Sequence, residues 1–180
     1  MGSSVWGLYA LVFTGTFEHA IDAKHRLAIP AEVRNLLLRE APSGLPGVDG
    51  AIPLALYVTL GDGALCLYTE AEFEKRAKEL DESELDADEL LEFERMMFSS
   101  ANRVELDAQG RVRIPDNLLK DSGLGTEVVL IGVKDHLEVR DRAAWKAYVQ
   151  DVLTRKPGLL MNPRRAMRAK ASGTGESVSR

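Results

Sequence analysis

The chain has 180 residues, 45% hydrophobic and 28% charged, which suits one compact domain or two small ones. No apolar run reaches the roughly 18–20 residues of a membrane helix, and Met1–Val12 lacks the basic region and cleavage site of a signal peptide. The lone cysteine, Cys66, excludes an intrachain disulfide and a multi-cysteine metal site, and a net charge of −5 weighs mildly against a nucleic-acid partner.

Charge is unevenly spread. Acids crowd Glu70–Glu94, whereas Arg155–Arg180 carries seven bases against Glu176 alone. A cationic surface on an acidic protein stays open.

Residues 1–15 read as an N-terminal extension, and a first unit spans 16–82. It opens with a strand at Thr16–Ile21, a polar tetrad and a strand at Leu27–Ile29, alternating as a half-buried hairpin does. Pro30 suits the first position of a helix, whose apolar face carries Val33, Leu36 and Leu37. The Gly/Pro-rich stretch 41–53 reads as a loop insertion. A hairpin follows, Leu56–Leu60 and Leu65–Tyr68 around Gly61-Asp62-Gly63, and Thr69 with Glu72 forms a capping box for the next helix.

Residues 83–100 predict a connecting helix with Leu90, Phe93 and Met97 along one face. The second unit, 101–153, takes the same course: strands at Arg103–Leu106 and Val112–Ile114, then Pro115 and a short helix through Leu118 and Leu119 that Gly123 stops. A hairpin of Val128–Ile131 and His136–Val139 turns near Val133–Asp135, and Asp141 suits a helix N-cap. Residues 154–180 read as a basic, disordered tail, with a short basic helix between Asn162 and Lys170.

The two units are copies of each other. Asp22-Ala23-Lys24-His25-Arg26-Leu27-Ala28-Ile29-Pro30 recurs 85 residues later as Asp107-Ala108-Gln109-Gly110-Arg111-Val112-Arg113-Ile114-Pro115. Leu65–Phe73 recurs as Leu137–Trp145 at an offset of 72, and the 13 missing residues fit the 41–53 insertion.

These paired Asp-x-x-x-Arg tetrads, each followed by an apolar strand and Ile-Pro, resemble the MraZ family of AbrB-like proteins. The opening Val12–His19 and the closing Val128–Val139 resemble it too, and the likeness runs from Val12 to Val152. The resemblance implies an α+β fold of tandem-duplicated AbrB-like β-α-β units forming a double-split barrel with peripheral helices. It implies a ring-shaped homo-oligomer in the cytoplasm, associated with the nucleoid. It also implies repression at direct repeats of double-stranded DNA upstream of a cell-division and cell-wall gene cluster. Three departures stand out: His25 replaces the glycine common in the first tetrad, residues 41–53 are inserted, and residues 1–11 precede the usual start, which suggests initiation at Val12.

DNA attracts proteins through its phosphates, and Arg and Lys read base edges in the major groove. Lys24 and Arg26 at the first tight turn are therefore the leading contacts. In the second copy Arg111 matches Arg26, Gln109 replaces Lys24, and Arg113 adds a charge, so the first copy is expected to bind DNA more strongly. Asp22 and Asp107 read as turn-stabilising, since an Asp in a turn bonds its own backbone and repels phosphate. For Arg26, phosphate contact and structural ion pair remain equally open, while Lys24 has fewer structural uses. Arg164, Arg165, Arg168 and Lys170 add phosphate contacts or form a solvated tail.

Other chemistry finds little support. His19, His25 and His136 lack metal-ligand spacing, Cys66 alternates within a strand, and no cofactor or catalytic motif is present. Met96, Met97 and Phe98 read as helix packing, and the acidic run as a solvated face. Two competing functions are a toxin-neutralising antitoxin on a related fold, usually with a single tetrad unit, and an oligomeric scaffold without a nucleic-acid role.

Overall fold

A computed structural model describes residues 11–40, 54–80 and 86–158. The 41–53 insertion, the first ten residues, and Arg164, Arg165, Arg168 and Lys170 lie outside the described residues. The chain forms two compact units, one through Arg142 and one from Ala143 onward.

In chain order the elements are β1 (Thr16–Ala20), β2 (Arg26–Ala28), α1 (Ala31–Glu40), β3 (Ala55–Gly61), β4 (Ala64–Tyr68) and α2 (Glu70–Leu80). Then come α3 (Ala87–Ser100), β5 (Asn102–Glu105), β6 (Arg111–Arg113), α4 (Asp116–Ser122), β7 (Glu127–Val133), β8 (His136–Asp141) and α5 (Arg142–Arg155). The fold is mixed α+β, and either side of α3 the chain runs strand, strand, helix, strand, strand, helix.

The strands build a six-stranded antiparallel sheet, ordered β1-β7-β8-β4-β3-β5, and a two-stranded ribbon of β2 and β6. Each half lends its first strand to the other half: β1 pairs with β7, and β5 with β3. The halves also meet along β4–β8 at the sheet centre. They are interlocked, so neither can close its share of the sheet alone.

The hairpin expected around each tetrad is only vestigial. β1 and β2 touch through the single bridge Ile21↔Leu27, and β5 and β6 through Leu106↔Val112. Beyond that bridge the first strand bends into the large sheet while the second joins the ribbon. Local alternation allows both arrangements; the unpaired edges of β7 and β3 decide between them.

Leu27 and Val112, opposite each other on the ribbon, are fully buried. With Ile29, Val33, Ile114 and Leu118 they join Leu56, Val58, Leu65, Leu67, Val128, Leu130, Leu137 and Val139 of the sheet in one core. The next residue along each central strand faces the other way. Cys66, Tyr68, Phe73 and Met97 form a second cluster, in which the Tyr57 and Phe73 rings stack at 4.3 Å.

Helix ends follow local chemistry. Gly123 caps α4 in the left-handed conformation, φ 66°. The prolines stand one position earlier than expected: the Pro30 carbonyl accepts from the Arg34 N–H at 2.9 Å, and Pro115 is the extended N-cap of α4. Asp86 starts α3, accepting from the Asp88 and Glu89 N–H groups at 3.1 and 2.9 Å, so this helix begins later than residue 83. Met97 packs inward, but Phe93 and Met96 are exposed, so the apolar face of α3 is narrower than its spacing predicts. The C-terminus of α3 is pinned to β3, where the Thr59 hydroxyl donates to the Met97 carbonyl at 3.0 Å.

The second unit is described by its helix. In α5, Trp145 stacks on Tyr148 at 5.4 Å, and Arg155 Nε donates to Asp151 at 2.8 Å.

Candidate nucleic-acid interface

Both tetrads fold into the same turn. The Asp22 N–H donates to the Arg26 carbonyl at 3.0 Å and the His25 N–H to the Asp22 carbonyl at 2.8 Å. Asp107, Gly110 and Arg111 repeat both bonds at 2.8 Å. The aspartate side chains tighten each turn: Asp22 Oδ1 accepts from the Lys24 and Arg26 N–H groups, and Asp107 Oδ1 from those of Gln109 and Arg111, all at 2.9 Å.

The other carboxylate oxygen holds the arginine. Arg26 Nε donates to Asp22 Oδ2 at 2.7 Å, and Arg111 Nε to Asp107 Oδ2 at 2.8 Å. These bonds keep both carboxyls below the usual carboxylate range, the arginine side chain being the chief cause. Arg111 also donates to the Gln109 side chain at 2.8 Å. Each guanidinium spends only part of its donor set on its aspartate, since it carries five N–H groups.

The fourth tetrad position demands a left-handed backbone. His25 adopts φ 59° and its counterpart Gly110 φ 73°. The two positions differ because of their surroundings. At Gly110 the space a Cβ would fill holds the Arg34 guanidinium, which donates to the Gln109 carbonyl at 3.4 Å. At His25 the imidazole has room to reach Asp116, Nδ1 to Oδ1 at 2.7 Å.

The ribbon register assembles the site. Arg26 lies opposite Arg113, and Ala28 opposite Arg111. Because Leu27 and Val112 point into the core, Arg26, Arg111 and Arg113 share the outward face. The antiparallel pairing places the turns at opposite ends, tied by bonds from the Ile114 N–H to the His25 carbonyl and from the Ile29 N–H to the Gly110 carbonyl, both 2.9 Å.

Exposure separates the roles. Arg26 and Arg111 keep 30% and 27% of their side-chain surface, whereas Arg113 keeps 73% and its nearest carboxylate, Asp116, is 3.8 Å away. Lys24 is exposed at the first turn, and its ammonium has no partner among the described residues. Sequence spacing placed these cations on two separate turns. It did not reveal that Arg113 faces Arg26 across the ribbon, nor that Arg34 from α1 braces the second turn; neither pairing has a local sequence signal.

Cys66 is unsuited to nucleophilic work, because burial pushes its thiol upward. Cys66 of β4 nevertheless meets His136 and Glu138, two residues apart on β8, on one face of the sheet. No helix among the described residues is long and apolar enough to cross a membrane.

Strand exchange between two like halves, with matching Asp-locked arginine turns on a shared ribbon, defines an internally duplicated α+β protein with a cationic ribbon face. The sequence is similar to those of known proteins. The family model described as "MraZ protein, putative antitoxin-like" matches residues 97–157. A transcriptional regulator MraZ of Desulfosudis oleivorans is 34% identical over 75% of this chain and 84% of its own. Those of Mesoplasma florum and Mycoplasmoides gallisepticum are each 31% identical, over 78% and 76% of this chain and 88% and 87% of theirs. The chain belongs to the MraZ family.

Proposed function

We propose that this chain is a transcription regulator that binds double-stranded DNA through the outward face of its β2–β6 ribbon. The observation carrying this reading is the register that sets Arg26, Arg111 and Arg113 side by side, with Lys24 beyond them at the first turn. A two-stranded ribbon fits the major groove, where Arg donates to guanine edges and to phosphates. The names of the relatives, all transcriptional regulators rather than enzymes, support the same class.

On this reading the ion pairs at the turns serve binding. A guanidinium already held by Asp22 or Asp107 loses less freedom when it meets DNA, and it keeps donors that its aspartate does not take. Lys24 and Arg113 supply charge that no turn aspartate holds. One ribbon makes too few contacts for tight binding at physiological salt. The proposed duplicated AbrB-like units, 16–82 and 101–153, form a double-split barrel that assembles into a ring. Its ribbons engage direct repeats together, raising effective concentration. In this account the chain represses a cell-division and cell-wall gene cluster, in the cytoplasm and associated with the nucleoid.

Gel shifts on the DNA upstream of the chain's own gene, run across a salt series, test the reading. A discrete complex that outcompetes random duplex is expected. Binding no tighter than to random duplex overturns it and leaves a scaffold. The antitoxin-like description of the family favours a second reading, in which the chain holds a toxin partner. Stoichiometric co-purification of such a partner, without promoter binding, would establish that alternative.

A further inference from the structure

At the centre of the sheet, β4 of the first half runs against β8 of the second, with Cys66 directly opposite Glu138. Residues two apart on a strand share a face, so His136 stands beside Glu138. One donor atom from each of Cys66, His136 and Glu138 falls within 4.8 Å of the others. Cys66 is buried, and His136 and Glu138 keep 12% and 17% of their side-chain surface.

The surrounding groups aim these donors at one point. Asp135 Oδ1 lies 2.7 Å from His136 Nδ1, which directs the other ring nitrogen inward. That nitrogen, Nε2, faces Glu138 Oε1 at 3.5 Å. Arg140 holds the other Glu138 oxygen, Oε2, at 2.6 Å, and Arg76 holds Asp135 Oδ2 at 3.0 Å. Tyr68 stacks on the imidazole at 5.1 Å and fixes its plane. Each carboxylate thus has one oxygen tied to an arginine and one turned toward the histidine.

A neutral imidazole donates from only one nitrogen. With Nδ1 against Asp135, Nε2 faces a carboxylate oxygen, and the Cys66 thiol lies beside them. A divalent cation placed between them would take one donor atom from each. Thiolate, imidazole and carboxylate together are the donor set of zinc, and a carboxylate behind the histidine is its usual support.

We propose that Cys66, His136 and Glu138 form a zinc-type metal site on the face of the β4–β8 pair that also carries Tyr68, with three protein ligands and an open fourth position. Binding displaces the Cys66 thiol proton to solvent, and the metal takes the thiolate. Because Cys66 comes from one half and His136 and Glu138 from the other, the ion clamps the seam between them.

Cobalt(II) titration of the chelator-treated full chain tests the site, with zinc(II) as competitor. One equivalent of cobalt should produce thiolate charge-transfer absorption and tetrahedral ligand-field bands, both erased by zinc. Zinc should also raise the melting temperature of the wild type and leave that of Cys66→Ser unchanged. Asp135→Asn keeps all three ligands and should weaken binding roughly 10–100-fold; it decides the matter should Cys66→Ser fail to fold. Absence of a thiolate band, or binding of equal strength in Cys66→Ser or Asp135→Asn, overturns the site.

Discussion

Replacing Arg113 by Ala separates DNA binding from folding more cleanly than any other change on the ribbon. Its side chain is 73% exposed, and Asp116, its one near carboxylate among the described residues at 3.8 Å, remains satisfied by His25 at 2.7 Å after the arginine is gone. The melting temperature should therefore move by no more than about 1–2 °C, as for a surface substitution in a chain of this size. Binding should change far more. Each neutralised phosphate contributes about 0.9 to the slope of log affinity against log salt. With Lys24, Arg26, Arg111 and Arg113 all engaged, that slope is about −3.6 per bound chain, a loss of roughly 150-fold between about 50 and 200 mM salt. Arg113→Ala lowers it to about −2.7 and the loss to roughly 40-fold. Fluorescence anisotropy on the upstream duplex across that salt range measures the slope, with differential scanning fluorimetry run in parallel. An unchanged slope in a stably folded variant would refute the ribbon as the DNA face.

Three further perturbations probe what holds the ribbon in place. Asp22 and Asp107 have folded pKa values below their unfolded ones, chiefly through hydrogen bonds from Arg26 and Arg111, so their contribution is fully present above about pH 4 and lost as pH falls through the folded values. Thermal melts of the Asp22→Asn/Asp107→Asn double variant should start lower at neutral pH and fall less steeply below about pH 4; parallel curves would remove the turn aspartates from the account. Leu27→Ala empties a fully buried position beneath the ribbon and should cost about 2–5 kcal/mol in urea unfolding, whereas under about 1 kcal/mol would mean that the ribbon is not packed as described. Gly132→Ala would press a methyl against backbone, 2.6 Å from the Phe13 carbonyl carbon, and should cost about 1–3 kcal/mol; a neutral result would show that Phe13–Gly15 does not dock on β7.

What the sequence makes legible here is local. The tetrads declare their turns because an aspartate, the backbone N–H two residues on and the backbone and side chain of an arginine four residues on satisfy each other within one loop. Gly123 and the Asp62-Gly63 turn are legible likewise, since each left-handed position is filled by the residue that tolerates it best. Lys134 adopts φ 60° in the equivalent second hairpin, where only two backbone bonds to Phe13 indicate why the position holds. Strand exchange is not legible, because β1 would satisfy the same alternation beside β2 as beside β7. Pairing between strands far apart in the chain leaves no periodic trace. The meeting of Arg26 with Arg113, and of Cys66 with Glu138, follows from that long-range register and is hidden for the same reason.

The ribbon also carries a cost that packing does not explain. Arg26 and Arg113 stand directly opposite on one face, and like charges so placed destabilise a sheet pair. Asp22 offsets the first of them, but Arg113 has only the distant, shared Asp116. The two ends of the ribbon differ in the same sense. Lys24, Arg26 and Arg113 cluster at the His25 turn, while the Gly110 turn keeps Arg111 with the bracing Arg34, whose guanidinium is drawn inward to the Gln109 carbonyl. Repulsion is therefore concentrated where exposure is greatest. A polyanion laid along that end would remove the repulsion and gain the charge. The first turn should accordingly contribute more to DNA affinity than the second, although both share one backbone design.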